Sequence, residues 1–373
     1  MKVALLAATV CSIVSTVMST SATAAVLAAN PANILSVFAS AKAGDTIKAS
    51  GTFGSVSLQN RAFTTRVTLD ATNAVFTDTL TIQNVTGLNV LRGTFGSRTA
   101  AMRSTRTVIV TKSADIKFQT NTFIGNGLIA GADASHGLMV RNSTNVQVSA
   151  GNFSNFMTGL GVLSSTRVKV DSSKFTAMTS DGINIANSHF VTATANSCAG
   201  TMAYAGAHPD CIQLWSLLGQ PVQSDIALIR NVASGATQGF ASFNPSAGGG
   251  LRISMIGNIV ATSFPQGLAC YECVDSVFRD NILTTLPGAR WQTRMNIIGG
   301  ANNLIANNSI GLMAAPLTAV ASRAARSVSM STGLANDVSA VPEPSEWFML
   351  TIGFGLVGGF SRRSKLTLQR RSA

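Results

Sequence analysis

Apolar residues in the middle of the chain recur at every second position in short runs, and the runs themselves recur. HGLMVRNSTNVQVSAGNF (136–153) aligns with TGLGVLSSTRVKVDSSKF (158–175) at an offset of 22, and that with DGINIANSHFVTATANSC (181–198) at 23. Each unit reads as a glycine-started alternating strand, a polar Ser/Asn turn and a second alternating strand. The pattern returns in DCIQLW (210–215) with SDIALIRNV (224–232), in QGLACYECVDSVFRDNIL (266–283) and in RMNIIGGANNLIANNSI (294–310). Period-2 alternation marks strands, and such strands repeating every 22–29 residues without a helical stripe between them predict an all-β parallel solenoid. Each turn buries alternate Ile, Val, Leu and Phe side chains, and its backbone pairs with turns above and below at about 4.8 Å. Asn and Ser recur at the corners, where their side chains can satisfy turn backbone.

A solenoid converts sequence offset into spatial adjacency, so the alignment predicts columns. Leu138, Leu160, Ile183, Ile212, Phe240 and Leu268 form one inward column. The position before the strand glycine runs His136, Thr158, Asp181, Asp210, Gln238 and Gln266, which makes Asp181 and Asp210 neighbours on adjacent turns. Three places on, Asn184 and Gln213 are neighbours and point outward. Two further, Trp215, Phe243 and Tyr271 follow one another as outward aromatics. They form either a platform for the apolar face of a pyranose or a patch covered by a neighbouring loop. The insertion after Cys198 delivers His208 to the edge of these columns, in the string HPDCIQLW (208–215).

These residues define the candidate site: Asp181, His208 and Asp210 as catalytic groups, and Asn184, Gln213, Trp215, Phe243 and Tyr271 as substrate-binding groups. Two carboxyls one turn apart suit glycoside hydrolysis, which needs them about 5–9.5 Å apart with one kept protonated. A polysaccharide lyase instead needs a base, here His208, and a cation to neutralise a uronate carboxylate. Arg294, or Ca²⁺ held by Asp181 and Asp210, would supply that cation. The bland alternative is that the aspartates cap strands and His208 closes its loop.

The lead-in AKAGDTIKASGTFGSVSL (41–58) resembles the first turn of pectate-lyase-like and chondroitinase-B-like β-helices, and the body as a whole resembles a right-handed, single-stranded parallel β-helix. A string like HPDCIQ also occurs in secreted bacterial β-helix proteins, without a fixed activity attached to it. The N-T-D, D-D, G-H-G and R-I-K set of polygalacturonases is absent, Arg252-Ile253-Ser254 being only a fragment, and the D-P-H motif of epimerases is missing.

The two ends read as addresses. Met1-Lys2, an apolar run to about Val17 and Ala22-Thr23-Ala24 predict a secretory signal over 1–24. Residues 341–365 (VPEPSEWFMLTIGFGLVGGFSRRSK) resemble a PEP-CTERM sorting signal: Pro342-Glu343-Pro344, an apolar run from Trp347 to Phe360, then Arg362, Arg363 and Lys365. That resemblance implies a short C-terminal transmembrane helix, processing by signal peptidase and an exosortase-type enzyme, and delivery to the envelope or extracellular matrix of a Gram-negative bacterium. Between the ends lie the β-helix domain (25–313) and an Ala/Ser-rich linker (314–340); residues 366–373 form a tail.

Composition narrows the partners. Charged residues are only 11% of the chain, against a hydrophobic share of 46%, which excludes a disordered or coiled-coil protein. The net charge is +12. Without the signal segment, the sorting segment and the tail, 21 basic and 13 acidic residues remain, about +8, which suits an anionic glycan rather than nucleic acid in an exported protein. The segment 97–112 is basic through Arg98, Arg103, Arg106 and Lys112 and reads as a solvated loop or flap. Cys198, Cys211, Cys270 and Cys273 allow two disulfides in any of three pairings, and Cys270-Tyr271-Glu272-Cys273 reads as buried thiols or a local bridge, not zinc. The expectation is an exported β-helix protein that binds acidic polysaccharide and, in the sharper form, cleaves it; the alternative is a non-catalytic adhesion or matrix protein.

Overall fold

The computed structural model describes residues 23–96, 106–127, 135–203, 207–243 and 245–312. These belong to one compact unit; residues 313–373, with the expected sorting helix, lie outside the described residues, as do residues 1–22 of the expected signal segment 1–24. Among the described residues no helix is long and apolar enough to cross a membrane.

The body is a parallel β-solenoid whose strand pairings among the described residues are all parallel. Each turn contributes to three faces. In one turn face one is His136–Arg141, face two Thr144–Ser149 and face three Asn152–Ser154. The third, short face was not separated from the second in the repeat pattern, because three residues are too few to show alternation. The inward column on face one is as the offsets require: Leu138 pairs with Leu160, Leu160 with Ile183, Ile183 with Ile212, Ile212 with Phe240 and Phe240 with Leu268. All six are at most 1% exposed.

Face three brings an internal stack of phenylalanines. Phe53, Phe76, Phe95, Phe123, Phe153 and Phe175 lie ring on ring, with centroids 4.3–5.3 Å apart. Burying each such ring stabilises the body by about 1.5–3 kcal/mol. At the corner between faces two and three, Asn196, Asn231, Asn258, Asn281 and Asn308 form a ladder. Each donates its Nδ2 to a carbonyl of the preceding turn at 2.9 Å. From Asn231 onward, each Oδ1 accepts the backbone N–H of the asparagine one turn earlier, so the buried amides are satisfied along the axis.

The N-terminal end is closed by the helix Ile34–Ser40, which buries Ile34 and Phe38 and sets Phe38 edge-on against Phe63 at 5.8 Å. Nothing in the period-2 pattern announced this cap. The basic segment is corrected in part: Arg106 opens the face-one strand Arg106–Thr111 and Lys112 sits at its corner, while 97–105 lie outside the described residues.

Candidate functional site

The site is built where the solenoid makes a size exchange. Face-one strands begin with glycine because a side chain there would strike the inner stack: a Cβ on Gly159 would stand 2.6 Å from the Phe175 ring. In the following turns the phenylalanine column becomes Cys198 and then Ala233, and the glycine column admits Cys211. Cys211 is bonded to Cys198, with Cα atoms 5.5 Å apart. The bridge closes the insertion that carries His208 and Pro209. The second bridge, Cys270–Cys273, is local.

Asp181, His208 and Asp210 converge, as the register predicts. Asp210 pairs with Gln238 in the next turn, and the following column positions are Gln266 and Arg294. The backbone N–H of Asp210 donates to Asp181 Oδ1 at 3.2 Å, and Ser180 Oγ donates to the same oxygen at 3.2 Å. Asn184 Nδ2 donates to Asp181 Oδ2 at 3.1 Å. His208 Nδ1 lies 3.0 Å from Asp210 Oδ2. Asp210 is fully buried and Asp181 only 6% exposed.

Burial, and then the neighbouring Asp210 carboxylate, push the Asp181 carboxyl up to about 7. Burial raises Asp210 as well, against the opposing pull of His208 and Gln213. For His208 burial favours the neutral ring, but the charge and hydrogen bond of Asp210, joined by Asp181, outweigh it and raise its pKa. Near neutrality the cluster therefore favours a proton on Asp181 and a further proton held between His208 and Asp210.

Asn184 links this interior to the surface. Its Nδ2 also donates to Gln213 Oε1 at 2.8 Å, and its Oδ1 accepts the indole N–H of Trp215 at 3.0 Å. The amide is thus held at both ends, and the half-exposed Gln213 and Trp215 are held with it. Trp215 pairs in register with Ala186, and its indole reaches back to Asn184 one turn earlier. Phe243 meets His208 edge-on at 5.2 Å and Tyr271 edge-on at 5.4 Å. The three aromatics follow one another along the register as expected, but Phe243 and Tyr271 meet edge-on and Trp215 is tied back to Asn184; they are not a flat stacked ridge. Their half-exposed surfaces nonetheless face outward.

The expected calcium site is not supported by the donor set. Ca²⁺ takes about six to eight oxygen ligands. Both Asp181 oxygens and Asp210 Oδ2 are already engaged by protein groups, and burial favours protonation of both carboxyls. Among the described residues no three His, Cys, Asp or Glu side chains are grouped to hold a metal ion.

Face one also has a uniform charge. The charged side chains that reach solvent on its described strands, Arg106, Arg141 and Arg294, are all basic. Face two mixes Asp115, Asp171 and Asp225 with Lys117, Lys169 and Arg252. Sequence reasoning missed the bridging role of Asn184 and also Ser180, whose proximity to Asp181 in sequence was its only signal. It also missed that His136, in the same column, is buried and pushed down to about 4 by burial and by Arg106, which keeps it neutral.

No known family matches the chain, and no curated protein matches it. Among solved structures it is similar to an alginate lyase from Paenibacillus sp. str. FPU-7, at 15% identity over 76% of this chain and 99% of that one, with a TM-score of 0.49. It is similar to pectate lyase Pel9A at 12% identity, over 75% of this chain and 78% of that one, with a TM-score of 0.49. It is also similar to PfbA, a surface adhesin of Streptococcus pneumoniae, at 10% identity over 71% of this chain and 83% of that one, with a TM-score of 0.47.

Proposed function

We propose that this is an exported β-helix protein that binds acidic polysaccharide along face one, at the cell surface or in the extracellular matrix. The observation that carries the reading is the Asn184 amide, which fixes Gln213 and Trp215 side by side at the surface. A preorganised aromatic next to an amide is what a sugar ring needs: an apolar face to pack on and a hydrogen-bonding group beside it. Arg106, Arg141 and Arg294 on the same face supply the matching charge for an anionic polymer. In this reading the buried Asp181–Asp210–His208 cluster positions the binding surface and does not touch substrate. Export, a transient membrane anchor at 347–360 and processing by signal peptidase and an exosortase-type enzyme rest on the residues quoted from the two ends. Gel mobility of the protein in a matrix of polyuronate, compared with a neutral glucan, tests the reading: retardation only by the polyuronate supports it, and equal mobility overturns it.

A second reading, cleavage by a lyase or a glycoside hydrolase, is favoured by one observation. Asp181 holds a proton near neutrality beside a second carboxyl, an arrangement suited to acid–base work. Incubation with acidic polysaccharides decides it: unsaturated-uronate absorbance marks a lyase and new reducing ends alone a hydrolase, while neither signal leaves a binding protein.

A further inference from the structure

The connection that leads into the last described turn is longer than its neighbour and carries an exposed indole. In the preceding turn the step from face three to face one takes three residues, Ser263, Phe264 and Pro265, between Thr262 and Gln266. Here it takes eight, 286–293, between Thr285 and Arg294. Insertions at one corner of a solenoid commonly build its binding face. The insertion bearing His208 stands at the same corner three turns earlier, since Asp210, Gln238, Gln266 and Arg294 succeed one another in register. Three turns at about 4.8 Å separate the two insertions by roughly 14 Å along the axis.

The loop is anchored at its base and turned at its tip. Ala289 N–H donates to the Leu286 carbonyl at 3.2 Å, closing the tight turn Leu286-Pro287-Gly288-Ala289. Proline sets the first central position, and Gly288 takes the second at φ +75°, as a type II turn requires. At the base, the N–H of Thr293 donates to Thr285 Oγ1 at 2.9 Å, and Thr293 Oγ1 lies 3.2 Å from the Thr262 and Phe264 carbonyls. Both threonines are buried. Between turn and base, Trp291 is 53% exposed, and the Arg290 guanidinium lies over its ring at 4.8 Å from the centroid. The loop and Leu312 line an open cleft of about 410 Å³. No ion pair among the described residues involves Arg290 or Arg294, and both are exposed.

We propose that Trp291 and Arg290 form a second contact for an acidic polysaccharide. The indole packs on the apolar face of a pyranose, and Arg290 and Arg294 pair with uronate carboxylates. This rests on the glycan reading above and extends it. Trp215 ends its face-one strand and Trp291 precedes another, so a polymer crossing the face obliquely engages both. The second engagement is then intramolecular and strengthens binding beyond either contact alone.

Titration calorimetry of the full-length protein with long-chain polygalacturonate at matched ionic strength tests the proposal. Trp291→Ala and Arg290→Gln should each weaken binding by about threefold or more, with unchanged melting temperatures. Lys169→Gln, which removes the same charge from face two, should leave the affinity as it is. Unchanged affinity in Trp291→Ala, while Trp215→Ala weakens binding, overturns this inference and leaves the glycan reading standing. An equal loss in Lys169→Gln assigns the effect to net charge and overturns it too. A lower melting temperature in Trp291→Ala, with no loss of affinity in Arg290→Gln, overturns it and makes the indole a packing group of the last turn. Absence of binding by the wild type overturns both this inference and the reading it rests on.

Discussion

The indole nitrogen of Trp215 donates to Asn184 Oδ1 at 3.0 Å, one turn back along the solenoid, while the same amide holds the carboxyl of Asp181. A half-exposed aromatic is thereby tied to the most buried polar cluster on the face. Replacing Asn184 with Ala strands the indole N–H and releases Gln213. We expect a loss of about 1–3 kcal/mol in stability, read by denaturant unfolding, together with weaker glycan binding. Asn184→Asp would place another charge against Asp181 and should cost more than the alanine variant.

The carboxyl cluster contributes stability that is favoured by acid. Asp181 is raised to about 7, above its unfolded value, so the native state holds a proton that the unfolded chain has released. Stability from this group is therefore highest at low pH and falls as pH rises from about 4 to about 7. His208 is also raised, and its contribution likewise declines as pH climbs through its folded value. His136, pushed down to about 4, acts in the opposite direction between about 4 and 6.5. Subtracting the curve of an Asp181→Asn variant removes the His136 effect. The difference between wild type and variant should then move against the wild type by a few kcal/mol between pH 4 and pH 8, as order of magnitude. A flat difference curve contradicts the assignment.

The two bridges should differ in weight. Cys198–Cys211 closes a loop with a sequence separation of 13, whereas Cys270–Cys273 closes one of 3. Restriction of the unfolded chain makes the first worth about 3 kcal/mol and the second less. Cys198→Ala/Cys211→Ala should therefore lower the melting temperature more than Cys270→Ala/Cys273→Ala, and it should also release His208 from Asp210. Nuclear magnetic resonance of the His208 ring checks the latter through a return of its titration toward that of an ordinary histidine.

Ile183 is fully buried between Leu160 and Ile212. Ile183→Val should cost about 0.5–1.5 kcal/mol and Ile183→Asp upwards of about 4 kcal/mol, because the latter places an unpaired charge in a dry column. Thermal unfolding of both variants separates a core position from a surface one.

The columns were legible in the sequence because a solenoid repeats its geometry. Once 158–175, 181–198 and 210–215 are aligned, Asp181, Asp210, Asn184, Gln213 and Trp215 fall into place without further information. What the alignment could not convey was depth. Asp210 and Trp215 stand on the same side of one strand, yet Asp210 is fully buried and Trp215 half exposed. That difference comes from what lies over each, including the insertion bearing His208 and the rings of Phe243 and Tyr271. Corner geometry was equally hidden. Arg92, Thr120, Ala150, Ser172, Ala195 and Arg230 take positive φ at equivalent corners, a conformation that most of these residue types do not advertise. The disulfide pairing became visible only with the register, which sets Cys211 where the other strands carry glycine.

The most direct test of the central claim is the affinity of the full protein for a soluble polyuronate, measured by titration calorimetry for wild type and Trp215→Ala at matched ionic strength. Binding by the wild type that weakens about tenfold in Trp215→Ala, with unfolding still cooperative and the melting temperature lowered no more than in Asn184→Ala, is the result expected of an aromatic that packs on sugar outside the core. Equal affinity in the two proteins, or no heat in either, would contradict a glycan site on this face.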